Sequence, residues 1–356
     1  MKKLVKPLMF IFFATAIAAC SKDTPVEVVE DEGTRPVVDF AVEPGDDPFT
    51  WKFTNNSSDF KEVTWRFGDD SVAYSNDPEH VYMTTGTFQV TLTATSESGK
   101  TSQYLREITI DPNEILGISA TKTGTPNELA FKAQTDLDIE SIEWRFTDTS
   151  TPTTKTFISD DLEPLYKVPT GVIVPARIQL TTKKGSVAII TKDASTEGIV
   201  TNFMDAMVGY TVTEDNTGNA NENATKLFDK KDDNKFLIGW AADKEWNVTM
   251  EFSSAQTLKF YSIGNGNDSP ERDPKIWTME GSNDGENWTI VDSRSMEKHW
   301  TDQLLERGFP NTDAGLDWKK FYFAVSNPGS FKYYRLNINE NFGGGAIQFG
   351  EVALFK

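Results

Sequence analysis

The chain has 356 residues with 54 acidic against 35 basic side chains, and its formal charge of −19 excludes the basic face that nucleic acid or anionic lipid head groups require. One cysteine, Cys20, and two histidines, His80 and His299, leave no material for a disulfide framework or a Cys/His zinc site. A neutral ligand or a divalent cation fits this balance, and aromatics at 12% with recurrent Gly, Pro, Asn and Thr predict an all-β chain of two or three domains.

Met1 to Lys6 holds three lysines, Leu8 to Ala19 is nearly unbroken apolar, and small residues precede Cys20. This order of basic, apolar and cleavage segments predicts a secretion signal over residues 1–19, too short to span a bilayer. It resembles the bacterial lipoprotein signal, which implies acylation of Cys20 and a membrane attachment there; plain cleavage with an unmodified Cys20 is the alternative. Residues 20–36 carry several acids, Pro25 and Gly33 without apolar period and are expected to form a flexible tether. In the lipoproteins it resembles, an acid soon after the cysteine, here Asp23, accompanies display outside the cell, so the expected location is the outer membrane, lipid-anchored and facing outward.

Over residues 37–111, Phe88, Val90, Leu92 and Ala94 alternate with Gln89, Thr91, Thr93 and Thr95, the period of a half-buried strand. Trp65-Arg66-Phe67-Gly68-Asp69-Asp70, His80-Val81-Tyr82 and Gly86-Thr87-Phe88 resemble the polycystic-kidney-disease (PKD) domain, which implies an immunoglobulin-like sandwich. Asp70 stands where that family has glycine. Trp144-Arg145-Phe146-Thr147-Asp148 repeats the word one domain length later, so residues 112–198 are expected to form a second PKD-like sandwich. Such tandems serve as spacers, and Trp65, Trp144 and His80 are assigned to packing.

In residues 203–356, Trp246, Val248, Met250 and Phe252 alternate with polar neighbours, as do Tyr334, Leu336 and Ile338. Lys275 to Trp288 reads as a tight hairpin around Asn283-Asp284-Gly285, with Trp277 and Trp288 expected in the core. Together with Arg272-Asp273-Pro274, Tyr333-Tyr334-Arg335-Leu336 and Gly343-Gly344-Gly345-Ala346-Ile347-Gln348, these words resemble the discoidin, or coagulation-factor type C, family and its carbohydrate-binding members. The expected architecture is two tandem immunoglobulin-like β-sandwiches followed by a discoidin-type jelly-roll β-barrel, with ligands held in rim loops.

A sugar presents an apolar C–H face and directional hydroxyls, so its site needs an aromatic platform with planar donors and acceptors. The candidates are Trp240, Asp268, Arg272, Trp300, Arg307 and Phe342, with Trp300 and Phe342 as exposed platforms and Gly343-Gly344-Gly345 letting backbone approach a ligand. The segment Met296 to Trp318, with His299, Trp300, Arg307 and Trp318, looks longer than the family norm and is expected to shape selectivity. By strand period Glu351 points inward with Ile347 and Phe349, and a cation would satisfy it. The discoidin resemblance implies a structural calcium at Asp229, Asp233, Asn234 and Glu351. Lys230 and Lys231 depart from that family's loop, and a lysine ammonium in place of the ion is the alternative.

The order of parts points to a non-catalytic glycan-binding lipoprotein at the cell surface, with the sugars of this family, galactose and N-acetylgalactosamine, as expected ligands. Its expected partners are a glycan, the membrane through Cys20, and an outer-membrane transporter or hydrolase of a glycan uptake system. A surface adhesin or assembly protein that binds a protein partner through the discoidin-like module is the alternative. A carboxylate-pair glycosidase is disfavoured because no stretch is left for a catalytic barrel.

Overall fold

A computed structural model describes residues 33–240 and 244–356. The expected signal segment, Cys20 and most of the tether lie outside the described residues. The fold is all-β: two immunoglobulin-like sandwiches precede a jelly roll.

In the first sandwich a sheet of Phe40–Pro44, Thr50–Asn55 and Glu79–Val81 faces one of Val72–Ala73, Glu62–Arg66, Gly86–Thr95 and Thr101–Ile110. Phe88, Val90, Leu92 and Ala94 turn inward as their alternation requires. Between the sheets Trp65 lies parallel to Phe67, with centroids 6.5 Å apart, and Phe67 carries His80 at 4.1 Å. His80 Nε2 also lies 2.8 Å from Asp69 Oδ2. Asp70 adopts φ +69°, the left-handed conformation for which glycine is the usual choice and which Asp tolerates better than most residues.

The second sandwich repeats this interior. Trp144 is parallel to Phe146 at 6.0 Å, and Phe146 carries Tyr166 at 4.5 Å, so a tyrosine stands where the first copy has histidine. Its sheets order Lys155–Ser159, Ile139–Asp148, Val174–Thr182, Val187–Ser195 and Gly198–Val200 against Leu165–Lys167, Glu128–Gln134 and Gly117–Lys122. The two copies meet where Ser186 Oγ donates to the Tyr82 carbonyl at 2.9 Å and Val187 N to that of Met83 at 2.8 Å.

In the jelly roll a five-stranded antiparallel sheet, in the order Met207–Val212, Trp246–Thr257, Ser330–Asn341, Pro274–Ser282, Thr289–Ser295, covers one side of the core. Lys320–Ala324, Phe260–Gly264 and Val352–Phe355, with the pair Phe236–Gly239 and Ala346–Phe349, make the rest of the wall. Two expectations are corrected here. The connection from Asn283 to Trp288 is a wider loop built on Asp284, whose Oδ1 accepts from Glu286 N at 2.9 Å and Asn287 N at 2.8 Å, and only Gly285 has positive φ. The Asn287 side-chain amide, which donates to Asp284 Oδ2 at 2.7 Å, together with these backbone bonds holds the Asp284 carboxyl well below the usual carboxylate range. Trp277 is buried and donates to Tyr261 Oη at 2.9 Å, but Trp288 lies outside the core, half-exposed under the Arg335 guanidinium at 4.1 Å.

Candidate functional site

Strand Ser330–Asn341 runs out at Asn341, whose side chain organises the turn that follows. Its amide donates to the carbonyls of Gly344 at 2.8 Å and Ala346 at 2.7 Å and accepts from Gly343 N at 2.9 Å. Gly344 packs so closely that a Cβ would meet Arg272 Cγ at 2.8 Å, and its N–H donates to the Glu271 carbonyl at 3.0 Å. Trp240 N donates to the Gly345 carbonyl at 3.0 Å. The half-exposed Phe342 ring stacks on His299 with centroids 4.4 Å apart, and His299 Nδ1 lies 3.3 Å from the Pro270 carbonyl. Arg272 reaches to 3.9 Å from the exposed Asp268 carboxylate. Four of the expected ligand residues, Trp240, Asp268, Arg272 and Phe342, therefore gather at one end of the jelly roll around the glycine turn.

Two do not belong to that surface. Trp300 opens a short helix, α1 (Trp300–Glu306), and is fully buried: Trp300 and Leu304 lie one turn apart on the inward face. Its indole donates to the Pro274 carbonyl at 2.8 Å and its ring meets Phe321 at 4.7 Å, so it is core and not a platform. Arg307 ends the same helix and donates through Nε to the Ser150 carbonyl at 2.8 Å, tying the jelly roll to the second sandwich.

Beneath the rim lies a buried polar network absent from the expected site. Lys235, 5% exposed, pairs with Asp268 and donates to Gln348 Oε1 at 2.9 Å. The Gln348 amide donates to the carbonyls of Asp268 and Ser269 and, at 3.3 Å, to Asp273 Oδ1. Asp273 is 1% exposed. Burial pushes its carboxyl up to about 8, against the opposing pull of Gln348, Gly266 N and Lys235. The ammonium of Lys235 thus fixes Asp268 from below and leaves its outer side to solvent. Gln348 was hidden in the apolar run Ile347-Gln348-Phe349, and only the burial of both faces of that strand gives it away.

The expected metal loop is arranged differently from its sequence pattern. Glu351 is buried and accepts from Lys230 N at 3.1 Å; burial pushes its carboxyl up to about 7, and Asp229 and Asp232 add to the rise. Lys230 takes φ +61°, keeping the turn without glycine, and sends its ammonium outward to Asp205 at 2.6 Å. The Lys230 ammonium is therefore not the cation beside Glu351; Lys320, 2.7 Å from Asp232, is the lysine that pulls the Glu351 carboxyl back down. Asp229 Oδ2 accepts from Asn234 Nδ2 at 2.8 Å, while the buried Asn234 Oδ1 accepts no hydrogen bond among the described residues. Asp233 is exposed, and Asp232 is the nearer acid to Glu351. Among the described residues no three His, Cys, Asp or Glu side chains converge as a metal cage. The orphaned Asn234 amide oxygen nonetheless fits a hard cation that draws further ligands from backbone carbonyls.

Residues 34–110 match the PKD domain family. Over 139 residues, 37% of this chain, the sequence is 27% identical to peptide-N(4)-(N-acetyl-beta-glucosaminyl)asparagine amidase of Arabidopsis thaliana, and it spans 17% of that protein's length. Similar solved structures include a Clostridium perfringens module, CpGH89CBM32-5, in complex with GalNAc-beta-1,3-galactose, at 14% identity and TM-score 0.34, covering 44% of this chain and 100% of that one. The family 32 module of C. perfringens NanJ in complex with galactose matches at 11% identity and TM-score 0.34 over the same shares, 44% and 100%. The PKD1 domain of Vibrio anguillarum Epp matches at 25% identity and TM-score 0.21, covering 22% of this chain and 98% of that one. The first sandwich is similar to PKD domains, and the C-terminal jelly roll to family 32 carbohydrate-binding modules.

Proposed function

We propose that this chain is a non-catalytic glycan-binding protein whose jelly-roll rim holds a saccharide, with the two sandwiches as a spacer. The observation that carries it is the Phe342 ring, stacked on His299 beside the glycine turn, with Arg272 and Asp268 next to it. A ring backed by a second ring is a rigid face for pyranose C–H groups, and a guanidinium and a carboxylate supply the directional bonds. Display at the outer membrane through an acylated Cys20, and service to a glycan uptake system with a transporter or hydrolase partner, are part of the same proposal and rest on the N-terminal pattern. A structural calcium at Asp229, Asn234 and Glu351 is supported by the orphaned Asn234 Oδ1.

A glycan array probed with the full chain tests the proposal. Retention of one or more saccharides, lost in Phe342→Ala and Arg272→Ala while circular dichroism is unchanged, is the expected result; retention of none sinks it. Protein-partner binding is favoured by one feature, the exposed Phe157, Ile158, Leu162 and Leu165 of the second sandwich. A partner captured there, insensitive to competing sugar, would establish that role instead.

A further inference from the structure

Past the rim, across Asn267, lies a second and larger cleft of about 770 Å³, within the range of small-molecule sites. Trp318, Asn221, Asn234, Asn267, Lys231 and Asp233 line it. Asn267 also borders a smaller cavity, about 360 Å³, that contains Asp268 and Asp273, so the cleft and the rim adjoin.

Trp318 follows a single helical turn, α2 (Asp313–Leu316), and holds φ +59°, a left-handed conformation that glycine or asparagine adopts with little strain and a bulky aromatic does not. The buried Asn265 fixes it there. Its amide donates to the Leu316 carbonyl at 2.8 Å and accepts from Lys319 N at 2.7 Å, clamping the chain on both sides of the tryptophan. The ring is half-buried, but not by the apolar core. Trp318 lies outside the hydrophobic core and its fringe, it pairs with no other aromatic ring among the described residues, and its indole N–H has no hydrogen-bond partner among them. The buried Trp246, Trp277 and Trp300 of the same domain all donate theirs. A half-buried ring held in a costly backbone conformation, lining a cleft with no partner for its N–H among the described residues, is the arrangement of a binding platform.

The geometry points to a second saccharide subsite at Trp318, so that the rim accommodates an uncharged oligosaccharide chain and not only a terminal sugar. The inference rests on the glycan function proposed above and extends it. The exposed Asn221 and Asn267, which line the same cleft, supply planar donors and acceptors. The charged residues of the lining are mixed, Lys226, Lys231 and Lys235 with Glu222 and Asp233, and Lys226 and Lys235 are already paired with Asp229 and Asp268, so no single sign of charge dominates the cleft.

An array carrying galactose, N-acetylgalactosamine and glucose, each from monosaccharide to hexasaccharide, separates the possibilities when probed with the full chain, Trp318→Gly, Trp318→Phe and Phe342→Ala. Glycine accepts the positive φ, so loss of the ring does not endanger the turn. The expected result is an oligosaccharide preference over the matching monosaccharide of about tenfold, the size of one stacking contact. Trp318→Gly abolishes that gain and leaves monosaccharide retention intact, Trp318→Phe restores part of it, and Phe342→Ala loses both. Monosaccharide retention with no length dependence, or a gain that survives Trp318→Gly, overturns the subsite alone. Retention of no saccharide at any length overturns the glycan function and the subsite with it.

Discussion

The two sandwiches and the rim of the jelly roll use aromatic residues in opposite ways. In the sandwiches the large rings are the structure: Trp65 and Trp144 are fully buried, each stacked on a phenylalanine in the same register. At the rim, Trp240, Trp318 and Phe342 are half-exposed, while the space beneath is occupied by Lys235, Asp273 and Gln348. Burying ionisable groups costs stability that apolar packing would not, and among the described residues the sandwiches bury one such side chain, Asp148, whereas the jelly roll buries Lys235 and Asp273 under the rim as well as Glu280, Asp292 and Glu351 elsewhere, so the two parts are built on different terms.

The largest effects are expected in the supporting part. Trp65→Ala or Trp144→Ala removes a ring from a filled core and lowers stability by about 3–5 kcal/mol, measured by urea unfolding, without altering saccharide retention by the folded fraction. The milder Trp→Phe pair sharpens the contrast between the copies. Trp65 Nε1 donates to the Ser75 carbonyl at 3.0 Å, whereas Trp144 Nε1 is buried without a partner among the described residues. Trp65→Phe is therefore expected to cost about 1 kcal/mol more than Trp144→Phe. Loss of retention in a well-folded Trp144→Phe protein would break the division of labour.

Next in size is calcium. If Asn234 and Glu351 hold an ion, calcium at a hundredfold excess over its dissociation constant adds about 2.7 kcal/mol of stability, and the melting temperature drops on chelation. Glu351→Gln is expected to remove this response. A melting curve indifferent to both calcium and chelator would leave the buried carboxylate as a hydrogen-bonded turn.

Asp273 gives a pH test of the charges under the rim. Its folded carboxyl stands at about 8, far above its unfolded value, so the folded state binds the extra proton in between. Stability is then highest below the unfolded pKa and falls as pH rises toward 8. Lys235 opposes that rise and Asp268 adds to it. Asp273→Asn keeps the shape without the ionisation and is expected to flatten the slope, gaining on the order of 2 kcal/mol at alkaline pH. An unchanged slope would mean that Asp273 is not the group that resists charging.

How much of this the sequence disclosed follows from the range of the interactions. Strand alternation at Phe88 to Ala94 and at Trp246 to Phe252, and the Trp-Arg-Phe repeat, are local patterns and gave the architecture directly. Trp240, Asp268, Arg272 and Phe342 stand out in the sequence as polar or aromatic residues outside strands, and the fold gathers them around the glycine turn. Trp300 stands out for the same reason, but its helix, Trp300–Glu306, is too short to display a period, so a buried ring looks like a loop ring. The network under the rim was illegible because its contacts are distant in the chain: Lys235 and Gln348 are 113 positions apart. Asp233 and Asp232 are neighbours, and only the turn of the backbone decides which one faces Glu351.

The smallest stability effect bears most directly on the contrast between the two regions. Trp318→Gly puts an unstrained residue at φ +59° and removes a ring that packs on nothing in the core, so it is expected to raise stability by about 1 kcal/mol before the added freedom of the unfolded glycine is subtracted. Deletion of a buried sandwich aromatic such as Trp65 or Trp144 should not behave this way, because there ring and fold are the same thing. A tryptophan whose removal leaves the protein as stable or more so, while oligosaccharide retention falls, is kept for what it touches outside the chain. A clear loss of stability in Trp318→Gly, measured by thermal melting at neutral pH, would place the ring with the packing residues and erase the distinction.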